Sequence, residues 1–229
     1  MRNEAYYPVR RNDPDYLSGM SATKQMGVFD QPAKEQQRGG NMSSSIIALL
    51  SSPRKKSNST MLAQKIIEGA KKAGACVETF NLHKMTISPC TACDKCKKAD
   101  DRYCVIKDDM GKLYPKIVAA DGIILASPIY FFTISAQLKL FMDRCYALRG
   151  PSGYALKGKK VAIALTYGDV DPFRSGAVNA LRTFQDAFAY VGAEIAGMVY
   201  GTGWEPGEIV KNKAVMSEAF ELGKTLGGC

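Results

Sequence analysis

Histidine and tryptophan are scarce in this sequence of 229 residues, which contains one of each. The single histidine, His83, leaves no material for a histidine-rich zinc site and gives little support to acid–base chemistry by side chains. No apolar run approaches the roughly 18 residues of a membrane-spanning helix, and the N-terminus lacks the apolar core of a secretion signal. We therefore expect a cytoplasmic protein with no membrane partner, a setting in which disulfides are rare.

Positive charge exceeds negative charge, giving a formal net charge of +9. The excess lies in short basic clusters at residues 54–56, 95–98 and 157–160. A basic surface attracts nucleic acid, phosphate-bearing cofactors or acidic redox proteins, although most such lysines belong simply to a solvated face. The sequence contains no nucleic-acid-binding motif, so we expect no nucleic-acid partner.

Residues 1–44 differ in pattern from the rest of the chain. They contain proline and glycine turns but no sustained hydrophobic period, which is typical of an extension or arm. From Ser45 onward, apolar runs alternate with amphipathic helical patterns. We predict an N-terminal extension over 1–44 and a single domain over 45–229.

Strand and helix patterns alternate five times in this domain. Most of the strands are continuous apolar runs, as expected for parallel strands that are buried on both faces. The predicted strands cover residues 46–50, 76–82, 122–126, 160–165 and 194–200, and the closing helix covers 208–226. The alternation predicts an α/β fold with a doubly wound, five-stranded parallel sheet in the flavodoxin-like order 2-1-3-4-5.

The loop after the first strand, residues 51–60, is rich in serine and leads into a helix. A strand, a polar loop and a helix N-terminus form an anion site, because backbone N–H groups and the helix dipole face the ligand. Neither a dinucleotide-binding glycine pattern nor a Walker loop is present. The loop therefore favours a mononucleotide phosphate; the alternative is that its side chains only cap the helix.

Two further loops, residues 127–133 and 166–171, open on the same edge of the predicted sheet. Ligands of such sheets bind at the carboxyl ends of the strands, near the switch point between the first and third strands. The first of these loops carries Tyr130, Phe131 and Phe132 beside a proline. We predict that the loops hold a flat aromatic ligand, unless these aromatic side chains fill the core or an interface.

Four of the seven cysteines fall in a loop that we predict over residues 88–106, after the second strand. Two residues separate Cys90 from Cys93 and Cys93 from Cys96, and Cys104 closes the run. Thiolates select zinc, copper(I) or iron–sulfur clusters, and three ligands on one short loop suit an iron–sulfur cube. Since no second cysteine run exists, we predict a single [4Fe–4S] centre. A zinc knuckle, two disulfides and unligated thiols are the alternatives.

Several motifs resemble those of the iron–sulfur flavoproteins, which belong to the broader NADPH-dependent FMN reductase group of flavodoxin-like fold. The similar segments follow the same order over about residues 45–200: the loop 52–58, the cysteine run, and residues 107–110, 127–130 and 135–144. The first 44 residues have no counterpart in this pattern. The spacing of seven residues between Cys96 and Cys104 lies at the long end of the family's range.

The resemblance implies one FMN and one [4Fe–4S] cluster per subunit of a homodimer or homotetramer. Carried over by position, the residues that would bind the FMN phosphate are Ser52, Arg54, Ser57, Asn58, Ser59 and Thr60. Those that would flank the flavin ring and ribityl chain are Pro128, Ile129, Tyr130, Phe131 and Phe132 on one side and Thr166, Tyr167 and Gly168 on the other. The cluster ligands would be Cys90, Cys93, Cys96 and Cys104.

The function that we predict is oxidoreduction by the cofactors, with no catalytic side chain. The cluster would take electrons from a low-potential, ferredoxin-like donor, and FMN would pass them to a small acceptor such as dioxygen, peroxide or a quinone. One alternative is an NAD(P)H-dependent FMN or quinone reductase in which the cysteines are secondary. Another is a redox-sensing protein whose cluster and N-terminal arm govern the binding of a partner.

Overall fold

Five of the predicted strands form a parallel sheet in the computed structural model, which describes residues 43–98, 103–150 and 153–228. Numbered along the chain, the strands are β1 (Ser45–Leu50), β2 (Cys76–Asn81), β3 (Gly122–Tyr130), β4 (Thr133–Ile134), β5 (Arg149–Gly150), β6 (Gly153–Tyr154), β7 (Lys160–Tyr167) and β8 (Glu194–Thr202). The helices are α1 (Asn58–Lys72), α2 (Met110–Ala119), α3 (Ala136–Arg144), α4 (Ala177–Val191) and α5 (Lys213–Gly227).

The order of the long strands is β2-β1-β3-β7-β8, and all four pairings between them are parallel. This confirms the predicted order 2-1-3-4-5 and the flavodoxin-like α/β fold. The switch point lies at β1, whose last residue, Leu50, pairs with Asn81 of β2 on one side and with Ala126 of β3 on the other. The carboxyl ends of these strands therefore meet at one edge of the sheet.

Side chains of the central strands alternate between two hydrophobic cores, one on each face of the sheet. In β1, Ile46, Ala48 and Leu50 join the core that α1 and α5 cover, whereas Ile47 and Leu49 join the core that α2, α3 and α4 cover. Helix α5 packs closely against α1. A Cβ atom on Gly223 would stand 1.9 Å from the carbonyl oxygen of Ile66, so only glycine allows this approach. Both faces are covered, as a parallel sheet requires.

The main differences from the prediction are the end of β3, the start of α5 and one small hairpin. Strand β3 continues to Tyr130 instead of ending at Ala126, because Ser127 and Pro128 still pair with β7 and the next two residues pair with β4. The closing helix starts later than predicted: a short 3₁₀ turn occupies Glu208–Lys211, and Asn212 then caps α5 by accepting a hydrogen bond from the N–H of Val215. The small hairpin of β5 and β6 was not predicted.

The predicted N-terminal extension of residues 1–44 lies outside the described residues except for its last two, so it stays a prediction. No helix in the described ranges combines the length and the apolar character that crossing a membrane demands.

Candidate functional site

A cleft of about 250 Å³ opens at the carboxyl edge of the sheet, where the loops after β1, β3, β7 and β8 meet. Its lining residues are Ser52, Arg54, Ser57, Asn58, Pro128, Ile129, Tyr130, Phe131, Thr166, Tyr167, Gly168, Gly203, Trp204 and Pro206. Most of the predicted flavin-binding residues are therefore brought together in one place. Of the others, Ser59 is fully buried, Thr60 is half-buried on α1, and Phe132 stands beside the cleft in the turn between β3 and β4.

Three buried serines hold the edges of this cleft together. The Ser51 hydroxyl donates to the carbonyl oxygen of Ala126 at 2.9 Å, and the Ser135 hydroxyl donates to the Ser51 oxygen at 2.7 Å. The backbone N–H of Ser135 in turn donates to the Ser127 hydroxyl oxygen at 2.9 Å. Because all three serines are inaccessible to solvent, these bonds fix the loop after β1 against the end of β3 and the start of α3. Sequence analysis gave these serines no role.

The N-terminus of α1 supplies backbone donors at one end of the cleft. Ser57 is the N-cap residue, but its hydroxyl pairs with the Ser59 hydroxyl at 3.0 Å and accepts no hydrogen bond from a backbone N–H of the first turn. That turn contains no acidic side chain. The first N–H groups of a helix have no partner within it, so those of α1 are donors suited to an anion. Arg54, exposed above them, donates from Nη1 to the carbonyl oxygen of Trp204 at 3.2 Å.

Asn58 uses its side chain to anchor the loop that follows β8. Its Nδ2 group donates to the carbonyl oxygens of Gly203 at 2.8 Å and Glu205 at 2.9 Å, and its Oδ1 accepts from the N–H of Ile209 at 3.2 Å. Both amide hydrogens and the amide oxygen are thus engaged. The side chain of Asn58 positions this loop, which leaves the backbone N–H as the group of Asn58 that is available to an anion.

Two walls of the cleft are formed by the end of β3 and by the pair Gly168 and Trp204. Phe131 and Phe132 form the two-residue turn between β3 and β4, with φ angles of 47° and 68°. A hairpin turn of this length favours positive φ, which is usually supplied by glycine or asparagine. On the other wall the Trp204 ring lies so close to Gly168 that an added Cβ would stand 2.4 Å from Cε3 of the ring. Only glycine permits this contact without displacing the ring.

Sequence analysis did not place Gly203, Trp204 and Pro206, which come from the loop after β8. This loop is fixed by hydrogen bonds to residues far away in sequence or within itself: the N–H of Gly203 donates to the carbonyl oxygen of Tyr167 at 2.8 Å, and the N–H of Trp204 donates to Glu208 at 2.9 Å. Its composition carries no local motif. The single tryptophan, 68% exposed, was the only signal available.

The four clustered cysteines line a second, smaller cavity of about 20 Å³. Cys90 and Cys93 are exposed, whereas Cys96 and Cys104 are half-buried against the core. The loop that carries them turns sharply, with positive φ at Ala92 and Asp94. Behind it lie residues from the end of α3 and the turn that follows, namely Asp143, Arg144, Tyr146 and Ala147.

The environments of the thiols differ. Hydrogen bonds from the backbone of Lys95 and the hydroxyl of Thr91 lower the pKa of Cys93, which favours the thiolate that metals bind. Burial raises the pKa of Cys96, and the neighbouring sulfur of Cys104 adds to this effect because two thiolates repel each other. A bound metal would oppose that repulsion.

The lining and the volume of the cavity bear on whether these thiols suit an iron–sulfur cluster. Four soft donors face one space, which is the donor set that such a cluster requires. The space accommodates little more than one water molecule, and within the described ranges no three histidine, cysteine or acidic side chains are placed to hold a metal ion. The chemistry of the donors fits a cluster, and binding one requires the sulfurs to change position.

A buried ion pair closes the base of the cysteine loop. Arg144 and Asp108 are 1% and 3% exposed, and Nη1 of the guanidinium lies 2.5 Å from Oδ2 of the carboxylate. The same Nη1 donates to the carbonyl oxygen of Ser88, whose N–H donates back to Asp108. Burial alone would raise the pKa of Asp108, but hydrogen bonds from Arg144, Ser88 and Met110 outweigh it and leave that pKa below its ordinary value.

The exposed side of the cysteine loop is tied to the turn after α3. The Tyr146 hydroxyl donates to Asp94 at 3.1 Å, and Nζ of Lys97 stands 4.2 Å from the centroid of the Tyr146 ring. Cation–π contacts of this kind contribute about 0.5–1 kcal/mol at exposed sites. The loop is therefore held on both its buried and its exposed sides.

The chain belongs to the NADPH-dependent FMN reductase family, whose profile matches residues 44–200. It is 42% identical over 117 residues to a protein of Methanosarcina thermophila named iron–sulfur flavoprotein, an alignment that covers 51% of this chain and 59% of that protein. The chain thus spans little more than half the length of this relative. It is 29% identical over 169 residues to a protein of Bacillus subtilis provisionally named an NAD(P)H-dependent FMN-containing oxidoreductase, covering 72% of this chain and 88% of that protein.

Among solved structures, an NAD(P)H:quinone oxidoreductase from Methanothermobacter marburgensis superposes with a TM-score of 0.65 at 18% identity, over 81% of this chain and 98% of that one. At this identity the likeness shows the fold. Together these similarities confirm the predicted FMN reductase family and the flavodoxin-like fold.

Proposed function

We propose that this protein is an iron–sulfur flavoprotein that transfers electrons between a low-potential donor, a [4Fe–4S] cluster, FMN and a small acceptor. The observation that carries this proposal is the presence, in one flavodoxin-like domain, of two separate cavities: one lined by a phosphate loop and aromatic side chains, and one lined by four cysteines. A flavin reductase without a cluster has no need of the second cavity.

FMN fits the larger cleft by its shape and by its donors. Backbone N–H groups at the start of α1, the Ser52 hydroxyl and Arg54 would bind the phosphate, since each is a donor that lines or adjoins that end of the cleft. The ring would lie between the β3 end, Pro128 to Phe131, and the wall of Tyr167, Gly168 and Trp204. When bound, FMN supplies the ability to accept electrons singly or in pairs.

The cluster would be held by Cys90, Cys93, Cys96 and Cys104, which line the smaller cavity. When bound, it supplies one-electron transfer at a potential set by its hydrogen bonds and its exposure. The protein's part is to keep Cys96 and Cys104 against the hydrophobic core while leaving Cys90 and Cys93 at the surface. This placement gives an external donor access to one side of the site.

The charge around the cysteine loop favours an acidic donor protein. Lys95, Lys97 and Lys98 are exposed on the loop, and a positive surface increases the rate of encounter with an acidic partner such as a ferredoxin. The acceptor would be a small molecule such as dioxygen, peroxide or a quinone. We further propose that the protein works as a homodimer or homotetramer.

The experiment that tests this proposal is an anaerobic absorption spectrum of the purified protein, with iron, acid-labile sulfide and flavin quantified on the same sample. We expect flavin bands on a broad iron–sulfur absorbance, with about four irons and one FMN per chain. FMN accompanied by zinc, or by no metal, would disprove the cluster. Iron without flavin would disprove the assignment of the larger cleft.

A second candidate is a simple NAD(P)H-dependent FMN or quinone reductase. The family match and the Bacillus subtilis relative favour it. The two functions are separated by a variant in which Cys93 is replaced with alanine. Rapid NADPH oxidation by this variant, with FMN bound and iron absent, supports the simple reductase, whereas dependence of turnover on the cluster supports the iron–sulfur flavoprotein.

A further inference from the structure

One buried N–H donor of Arg144 has no acceptor among the described residues. Its side chain is 1% exposed and lines the cavity of the four cysteines. The two terminal nitrogens are satisfied: Nη1 contacts Asp108 and Ser88, and Nη2 donates to Asp108 at 3.2 Å. Nε has no hydrogen-bond partner within the described residues. A buried guanidinium N–H without an acceptor is unfavourable, so it signals an acceptor that the described residues do not supply.

Arg144 also lies at the base of the cysteine loop, where the two ends of the loop meet. Ser88 precedes Cys90 by two positions, Asp108 follows Cys104 by four, and both contact the Arg144 guanidinium. A second pair of hydrogen bonds lies beside them: the N–H of Thr86 donates to the Asp109 carboxylate at 2.8 Å, and the N–H of Asp109 donates to the Thr86 carbonyl oxygen at 3.0 Å. The guanidinium is therefore held in a fixed orientation next to the thiols.

We propose that the Nε–H of Arg144 donates a hydrogen bond to a sulfur of the iron–sulfur centre, and that the Arg144–Asp108 pair sets the reduction potential of that centre. This inference rests on the proposed function, because it requires the four cysteines to hold a cluster. The sulfurs of such a cluster are hydrogen-bond acceptors, and Nε is the buried donor that lacks one. A guanidinium is suited to this role since it carries its charge at any physiological pH and presents its donors in a rigid plane.

The direction in which Arg144 and Asp108 shift the reduction potential of the cluster follows from their charges. Reduction adds one negative charge to the cluster, so a neighbouring N–H donor or cation stabilises the reduced form and raises the potential. Asp108 acts in the opposite direction, because its carboxylate partly offsets the guanidinium. Changes on the two sides of the ion pair should therefore move the potential in opposite directions.

The test is a redox titration of the cluster, followed by electron paramagnetic resonance, in the wild-type holoprotein and in three variants. Arg144→Lys keeps the positive charge but removes the Nε donor, and we expect a lower midpoint potential. Asp108→Asn keeps an acceptor for Ser88 but removes the negative charge, and we expect a higher one. Arg182→Lys is the matched control, because Arg182 forms an exposed ion pair with Asp186 on α4; its potential should not change.

The outcomes separate this inference from the proposed function. A wild-type protein without a cluster overturns both. A wild-type protein with a cluster, whose potential is the same in Arg144→Lys and Asp108→Asn or moves in the same direction in both, overturns the inference alone. Loss of iron from both variants with FMN retained also overturns it, because that is the result expected of a purely structural clamp.

A second measurement needs no variant. The wild-type protein is labelled with ¹⁵N in its arginine residues and reduced, and pulsed electron paramagnetic resonance is used to detect nitrogen coupled to the cluster. A hydrogen bond from Nε predicts a resolved ¹⁵N coupling, which should be absent from unlabelled protein. A labelled wild-type sample without this coupling overturns the proposal even if the variants fail to fold.

Discussion

The two cavities of this protein are built in different ways. The larger cleft, of about 250 Å³, is assembled from the ends of several strands, and buried serines join those ends. The cysteine cavity of about 20 Å³ belongs largely to one loop, which is pinned at its base by a single ion pair. The cleft is preformed by the topology of the sheet, whereas the cysteine cavity depends on a local clamp and on the metal it would bind.

Substitutions should abolish the two sites with unequal ease. A cleft shared among several strands persists as long as the sheet does, because its walls belong to the core. A site on one loop disappears when its ligands or its clamp are removed, while the sheet remains intact. We therefore expect that single substitutions can abolish the cysteine site while the cleft stays intact. Substitutions that abolish the cleft and leave the cysteine site intact should be rarer.

The largest effect is expected from Cys93→Ala, which should remove the cluster iron completely while FMN stays bound. Cys93 is exposed on the cysteine loop and does not line the flavin cleft. Iron, sulfide and flavin analysis of one sample measures the result. Equal loss of iron and FMN would show that the two sites are not independent.

Arg144→Ala should lower the free energy of unfolding by about 3–5 kcal/mol, because it leaves the buried carboxylate of Asp108 without its partner. In Arg182→Ala the broken ion pair is exposed, and the change should be below about 1 kcal/mol. Denaturant unfolding of the cluster-free protein measures both. Similar changes in the free energy of unfolding for the two variants would mean that the Arg144–Asp108 pair contributes no more to stability than an exposed ion pair.

The sequence predicted the elements of this comparison unequally. Periodicity and the rules of parallel sheets predicted the strand order and the positions of the loops at 51–60 and 166–171, because those features depend on local pattern and general topology. The cysteine run was evident from its spacing. These parts of the fold and site are encoded by residues that are close together in sequence.

Features that depend on distant contacts were not predicted. Trp204 reaches the cleft because Asn58 holds its loop from 145 residues away, and Asp108 and Arg144 find each other across 36 residues. A buried charged pair is uncommon, so nothing in either local sequence indicated burial. Phe131 and Phe132 occupy a turn in which positive φ is expected of other residues, and the sequence therefore suggested a longer loop.

Gly168→Ala tests how closely the wall of the cleft is fitted. The added methyl group would collide with the Trp204 ring, which is 68% exposed and free to swing outward on its solvent side. A ring that has swung outward no longer packs on the flavin, and the loss of such an aromatic contact costs up to about 1.5 kcal/mol, which corresponds to FMN affinity weakened roughly twelvefold. Fluorescence titration of the apoprotein with FMN measures it.

Gly111→Ala is the control for this variant, because a Cβ at Gly111 meets nothing within 4 Å. Its FMN affinity should match that of the wild type. If Gly168→Ala also binds FMN as tightly as the wild type, the Trp204 wall does not contact the flavin.

Arg54→Ala should weaken FMN binding about tenfold, a loss of about 1.4 kcal/mol, which is at the low end for a charge-assisted hydrogen bond. The low value follows from the exposure of Arg54, which lets solvent screen its charge. Added salt should narrow the difference between variant and wild type. Lys55→Ala, at the adjacent exposed position, should have a smaller effect, and equal effects would indicate a general attraction to positive charge and no specific contact.

The smallest effect is the pH dependence of the stability that the Arg144–Asp108 ion pair contributes. Because the pKa of Asp108 is lower in the folded state than in the unfolded state, its ionised form stabilises the fold at pH values above the unfolded pKa of about 3.9. That contribution is lost as the pH falls below this value and through the lower folded pKa. The stability difference between the wild type and Asp108→Asn, measured by denaturant unfolding of cluster-free protein, should therefore shrink on acidification from pH 6 into this range. A difference that grows instead would mean that burial, and not the Arg144 guanidinium, controls the ionisation of this carboxylate.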